Sequence, residues 1–260
     1  MDPPPINYNV YFPNGYINYE SPICMVISAV LWRSFYILIR FFFPHVAPEF
    51  SSRILSATHG LLSAFLGINQ CFLFDWPFDH PEWKTSYIQS FIMTMSFGYF
   101  VHDGLWMLKY DRKGPIGFQR IQKIFKCLFP DKTMMCHHLL CILGLTKIIF
   151  KGYSGGQATC ALGSMEITNP FLQGRWFLRT AGMQNTPVYK STELTFFLVF
   201  IVVRIVIGSY FLNIILRQSK NDWDFIIMSL GIYILSWLFA WGMLKYVWKH
   251  YVQSRPDEKT

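Results

Sequence analysis

Residues 193–216 read ELTFFLVFIVVRIVIGSYFLNIIL, a run whose one charge after its first residue is Arg204. As a helix rising about 1.5 Å per residue, this run is long enough to cross the ~30 Å hydrocarbon core of a bilayer. Residues 225–247, FIIMSLGIYILSWLFAWGMLKYV, repeat the pattern and stay uncharged until Lys245. Working outward, similar windows occupy Pro22–Phe43, Arg53–Phe74, Ser86–Leu108 and Met134–Phe150. A shorter, more polar window covers Gln157–Gly174 and contains Glu166, Asn169 and Pro170, so it reads either as a fifth span or as a re-entrant segment. The pattern predicts an all-α, polytopic transmembrane helix bundle of about seven spans.

Composition points the same way. Apolar residues make up 52% and charged residues 15% of the chain, whereas a soluble domain carries about 25% charge. Aromatic content is 18%, and Trp and Tyr gather near the window ends, where interfacial anchors sit. The net charge of +8 has a topological explanation and does not require nucleic acid as a partner. With the N-terminus outside the cytoplasm, 16 of the 23 Lys and Arg fall in cytoplasmic segments, while Lys84, Lys151, Arg217 and Lys220 alone lie opposite. That asymmetry obeys the positive-inside rule, and a six-span arrangement would break it by moving the C-terminal basic cluster across the membrane. The division that follows is an extracytoplasmic tail over 1–21, a first transmembrane helix within 22–49, six further spans over 50–250, and a cytoplasmic tail over 251–260. The opening Met1-Asp2-Pro3-Pro4-Pro5 has no basic n-region and does not resemble a signal peptide. The loop Lys109–Thr133 carries Phe118, Ile121, Ile124, Phe125 and Leu128 at near-helical spacing. It reads either as an amphipathic surface helix or as a solvated connector.

Ionisable groups within a span cost upwards of ~2.5 kcal/mol near the bilayer centre and therefore turn towards the bundle interior. His102 and Asp103 on the third span, His137 and His138 on the fourth, and His59 on the second fall at similar depths near the cytoplasmic side. Glu166, Asn169 and Gln173 share one helix face by their spacing of four and three residues, and Pro170 removes a hydrogen bond to the Glu166 carbonyl and kinks the helix. Arg204 lies near the midplane, at the depth of Glu166, and the two are expected to form a structural ion pair. These groups outline a polar cavity in the cytoplasmic half of the bundle. Cys136, His137, His138 and Cys141 lack a second ligand pair at zinc spacing, so neither a metal nor another cofactor is expected. The six cysteines show no paired framework, so free buried thiols are expected, with a pair between Cys24 and Cys71, near the extracytoplasmic face, as the alternative.

The same residues carry a family resemblance. The segments are Thr58-His59-Gly60, Asp75-Trp76-Pro77-Phe78 with His80-Pro81, Gly98-Tyr99-Phe100 with Asp103, and His137-His138. They continue in the string from Glu166 to Gln173, in Arg175-Trp176-Phe177-Leu178-Arg179, and in Arg204-Ile205. Over residues 50 to 250 the chain resembles the TLC-domain family, which includes ceramide synthases, the translocating-chain-associated membrane protein and lipid-homeostasis proteins. The resemblance implies a membrane lipid as partner, action in lipid homeostasis, and the endoplasmic reticulum rather than the plasma membrane. In ceramide synthases a His-His pair and a later His-Asp pair are implicated in acyl transfer from acyl-coenzyme A. Here His137-His138 stands at the first position and Met165-Glu166 at the second. Lipid binding is therefore the primary expectation, with His137, His138, Asp103, His102, Glu166 and Asn169 as candidate site residues. The alternative is an acyltransferase using acyl-coenzyme A, in which His137 or His138 acts as base or nucleophile and Glu166 or Asp103 orients it.

Overall fold

A computed structural model describes residues 20–72, 76–110, 132–218 and 222–249. Within them the chain forms helices α1 (Glu20–Phe42), α2 (Pro48–Phe72), α3 (Tyr87–Tyr110), α4 (Lys132–Lys151), α5 (Gly155–Glu166), α6 (Thr168–Thr180) and α7 (Pro187–Phe200). A π-helical segment (Ile201–Ile207) joins α7 to α8 (Gly208–Arg217), and α9 (Trp223–Val247) follows. As α5–α6 and α7–α8 each continue in one direction, these make seven rods, one for each apolar window. Four of them, at Ser21–Phe42, Thr133–Lys151, Pro187–Arg217 and Trp223–Val247, are long and apolar enough to cross a membrane. The surface-helix reading of the Lys109–Thr133 loop falls mostly on residues outside those described.

The remaining rods are more polar on the faces they turn towards protein, while α2 and α3 still expose Leu61, Phe65, Phe91 and Leu105 on the other side. On α2, Ser52, Ser56, His59, Ser63 and Gln70 are all buried. Lipid-facing α1, by contrast, exposes Ile23, Val26, Val30 and Leu31. Small residues let the inner backbones approach, as membrane helices require. A Cβ placed on Gly163 of α5 would lie 2.5 Å from the Gly67 carbonyl carbon of α2, and one on Gly98 of α3 would lie 2.2 Å from Ser28 Oγ of α1.

That close crossing explains the disulfide. Cys71 is bonded to Cys160, with their Cα atoms 5.0 Å apart, one turn along α2 from Gly67. This corrects the expectation of free thiols at both positions, and Cys24, the alternative partner for Cys71, is free and exposed on α1. Depth along the membrane places Cys24 and Cys71 alike, but the lateral packing of α2 on α5 decides which thiols meet. The end of the bundle holding this disulfide also carries Trp76 to Ser86. There Phe78 is fully buried and stacks on Phe211 of α8 at 4.6 Å. The opposite end gathers Arg40, Arg53, Arg179 and Lys245 and is called the basic end below.

The fifth rod runs from Gly155 to Thr180, about 39 Å at full helical rise, long enough to cross. Its interruption is at Ile167, between α5 and α6. Pro170 sits in the first turn of α6, where its missing N–H is not needed within the new helix. The Thr168 hydroxyl donates instead to the Met165 carbonyl at 2.9 Å.

Candidate functional site

The polar stripe of the fifth rod is a continuous hydrogen-bonded chain. Arg53 Nη1 donates to Gln173 Oε1 at 3.4 Å, Gln173 Nε2 to Asn169 Oδ1 at 2.8 Å, and Asn169 Nδ2 to Glu166 Oε2 at 3.2 Å. Asn169 Nδ2 also lies 3.0 Å from the Ser56 carbonyl of α2. Gly60 is required beneath it, since a Cβ there would come within 2.8 Å of Asn169 Cβ. One residue earlier, His59 is wholly buried, with Nδ1 3.7 Å from Glu166 Oε2 and Nε2 2.9 Å from Ser63 Oγ. Its ring stacks on Tyr99 at 3.9 Å between centroids. His59, read from the sequence only as one of several histidines at one depth, is thus an immediate neighbour of Glu166.

The structure separates the other candidates. His138 Nε2 lies 3.1 Å from Asp103 Oδ2, and Asp103 accepts from Ser52 Oγ at 3.3 Å. His137, the next residue along α4, points differently and has Cys141 Sγ 3.7 Å from its Nε2. Phe100 packs against both rings. His102 turns towards α1, its ring 5.5 Å from that of Tyr36, and so stands apart from the group. Asp103, His138, His59, Glu166 and Asn169 converge around α2, while His137 faces the other side.

That other side is a cavity of about 140 Å³ bounded by α4, α5, the π segment, α8 and α9. Along α4 its lining runs from His137 to Lys151, about 21 Å by helical rise. Its inner end is polar, bordered by His137, Cys141, Glu166 and Arg204; its length is mostly apolar, with Leu140, Leu145, Phe211 and Phe225; Lys147, Lys151 and Asp224 border its outer end. The polar cavity anticipated in the basic half is therefore an apolar one with a polar inner end, extending towards the disulfide end.

Glu166 and Arg204 both border this space and each feels the other's charge, yet no direct ion pair joins them among the described residues. Glu166 accepts from Asn169 and lies near His59, and the Arg204 guanidinium lies 5.8 Å from the centre of the Phe200 ring. Equal depth brings the two charges to the same end of the cavity without direct contact.

Two charge networks escaped sequence reasoning. At the basic end, Glu193 Oε1 accepts from Arg175 Nε at 2.7 Å, Tyr189 Oη at 3.0 Å and Tyr246 Oη at 3.2 Å. At the disulfide end, Lys147 pairs with Asp224 at 3.1 Å and Lys151 pairs with Asp222, which also accepts from Tyr153 Oη at 2.8 Å. A charge at each end of an apolar window was the available signal, without any indication of partner. No group of three or more His, Cys, Asp or Glu among the described residues is placed to hold a metal ion.

A buried histidine and carboxylate core thus lies beside an apolar cavity, inside a multi-pass helical bundle. The family model for the TLC domain matches residues 49–252, most of the chain. This integral, multi-pass membrane protein belongs to the TLC-domain family.

Proposed function

We propose that the protein holds a membrane lipid inside its bundle and acts in membrane lipid homeostasis, in the endoplasmic reticulum with its basic end in the cytoplasm. The observation that carries this reading is the cavity, whose apolar length of about 21 Å ends on His137, Glu166 and Arg204. An apolar slot with a few convergent polar groups is the usual form of a small-molecule site, and the surrounding lipid supplies such molecules at high concentration. The Cys71–Cys160 disulfide supports the orientation, because disulfides persist on the oxidising side of a membrane. Within the family, the string from Glu166 to Arg179 resembles that of TLC domain-containing protein 5.

Acyl transfer is the competing reading. It needs one imidazole to face both substrate and an orienting carboxylate. Here the histidine that borders the cavity is His137, whereas Asp103 stands beside His138, which does not border it. The division of labour favours a binding role for His137, as a hydrogen-bonding group at the inner end.

Native mass spectrometry of gently purified full-length protein tests the proposal. A co-purified lipid is expected in the wild type and in the His137→Gln, His138→Gln double variant. It is expected to be lost from Gly144→Leu, which fills the cavity midway, where no atom of a neighbouring helix lies closer than 3.9 Å to a Cβ on Gly144. Lipid-free wild type, or retention undiminished in Gly144→Leu, would overturn it. Transfer of labelled acyl chain from acyl-coenzyme A to a sphingoid base, present in wild type and absent in the double variant, would establish the enzyme instead.

A further inference from the structure

Among the described residues Arg204 is a cation that feels the charge of Glu166 but forms no hydrogen bond, in the middle of a membrane protein. It is 8% exposed, it borders the cavity, and its Nε has no hydrogen-bond acceptor among the described residues. An unsatisfied buried guanidinium is costly, and the chain maintains it within the π-helical segment Ile201–Ile207. Such insertions locally widen a helix and concentrate at functional sites. Orphaned donor and irregular backbone are independent observations, and both mark the same residue.

The charges around the cavity balance. Glu166 borders the inner end with Arg204. At the outer end Lys147 and Lys151 are taken up by Asp224 and Asp222. A carboxylate or phosphate placed beside Arg204 would therefore also sit beside Glu166, and at the outer end it would have to displace an aspartate. Among the described residues, the hydrogen bond from Asn169 and the approach of His59 both fall on Glu166 Oε2, which leaves Oε1 for a donor. The inner end thus offers a donor and an acceptor together, with no net charge.

From this arrangement, and granting that the cavity holds a lipid, we infer that its ligand is a neutral lipid bearing a hydroxyl. The hydroxyl lies at the inner end, accepting from Arg204 and donating to Glu166, and the chain extends towards Lys151. A hydroxyl is suited to this pairing because one oxygen both donates and accepts. A carboxylate only accepts, and so does an ester.

The test uses full-length protein stripped of lipid and offered three probes with the same 18-carbon oleoyl chain: oleyl alcohol, oleic acid and methyl oleate. Occupancy is read by native mass spectrometry in equimolar competition. The alcohol is expected to exceed each of the others by on the order of tenfold, the penalty for leaving a buried polar group unmatched. Arg204→Gln should bring the alcohol down to the level of the methyl ester, and Arg204→Lys should restore part of the preference. Strongest binding by oleic acid, or equal binding of all three, would overturn the hydroxyl assignment while leaving the lipid-holding cavity in place. No binding of any probe would overturn both. Should Arg204→Gln fail to fold, the wild-type ranking alone still decides.

Discussion

Replacing Arg175 by Met should destabilise the bundle far more than its position near a helix end suggests. Its partner Glu193 has a side chain only 2% exposed, against 19% for Arg175 itself. Breaking a buried pair by removing one member costs about 3–5 kcal/mol, because the remaining charge is left without compensation. Two tyrosine hydroxyls, Tyr189 and Tyr246, still donate to Glu193, so a loss near the lower limit, about 3 kcal/mol, is expected. The comparison is Glu49→Gln, which breaks a pair with Arg53 whose side chains are 48% and 34% exposed and leaves the bond from Arg53 to Gln173 in place. An exposed pair of this kind contributes under ~1 kcal/mol. Both variants can be measured by denaturant titration of the purified protein in detergent micelles, following tryptophan fluorescence. Adding Glu193→Leu to Arg175→Met should recover part of the loss, since the stranded charge then disappears. Equal midpoints for Arg175→Met and Glu49→Gln, or a double variant as unstable as the sum of its parts, would refute the claim that this network holds α6, α7 and α9 together.

Further tests concern the inner packing and the disulfide. Gly163→Ala should lower folded yield sharply, by overpacking of about 1–3 kcal/mol against Gly67, while Gly242→Ala, with nothing within 4 Å of the added carbon, should be neutral; equal yields would contradict the close crossing of α2 and α5. Non-reducing peptide mapping should recover Cys71 joined to Cys160, and a Cys24–Cys71 peptide would reverse the assignment. Cys160→Ser should cost about 2–4 kcal/mol, as for other native cross-links closing long loops, measured as a shift in denaturant midpoint that wild type reproduces when reduced. Tags placed at residues 1 and 260 should react on opposite sides of the membrane after selective permeabilisation, and both on one side would remove the seven-span arrangement.

The sequence conveys depth well and lateral position poorly, and the errors follow from that difference. Apolar windows locate seven rods because crossing hydrocarbon imposes length and composition on every one of them. The Glu166, Asn169 and Gln173 stripe was legible because helical spacing fixes which residues share a face, and the hydrogen bonds between them run along one element. Glu166 with Arg204, and the alternative pair Cys24 with Cys71, were matched by depth alone, and neither a direct ion pair nor a disulfide joins them among the described residues. Their true neighbours, His59 and Asn169 for the glutamate and Cys160 for Cys71, depend on α2 packing against α5 and α6. The small residues Gly60, Gly67 and Gly163 carry that information, but a glycine in a membrane helix does not name its partner. The π segment around Arg204 left no mark in the sequence either, because Ile, Val and Arg there suit an ordinary α-helix equally well.

The distribution of polarity among the rods bears on where function sits. A membrane helix facing lipid cannot afford Ser, Gln and His along its length, whereas one enclosed by neighbours can, provided each polar group finds a partner. Helix α2 does so at several positions: Ser56 meets Tyr99, Ser63 meets His59 and Ser96, and Gln70 meets Gln89, while Ser51 Oγ and His59 Nδ1 have no hydrogen-bond partner among the described residues. Glu166 is coupled to the basic end through Asn169, Gln173 and Arg53. Arg204 is set apart by place, for its unmatched Nε belongs to a residue that borders the cavity. A structural role would be expected to supply that nitrogen with an acceptor from the protein, as Glu193 is supplied for Arg175. The contrast between the two arginines, one bonded and one left open towards an apolar space, is the physical reason for assigning stability to the first and ligand recognition to the second.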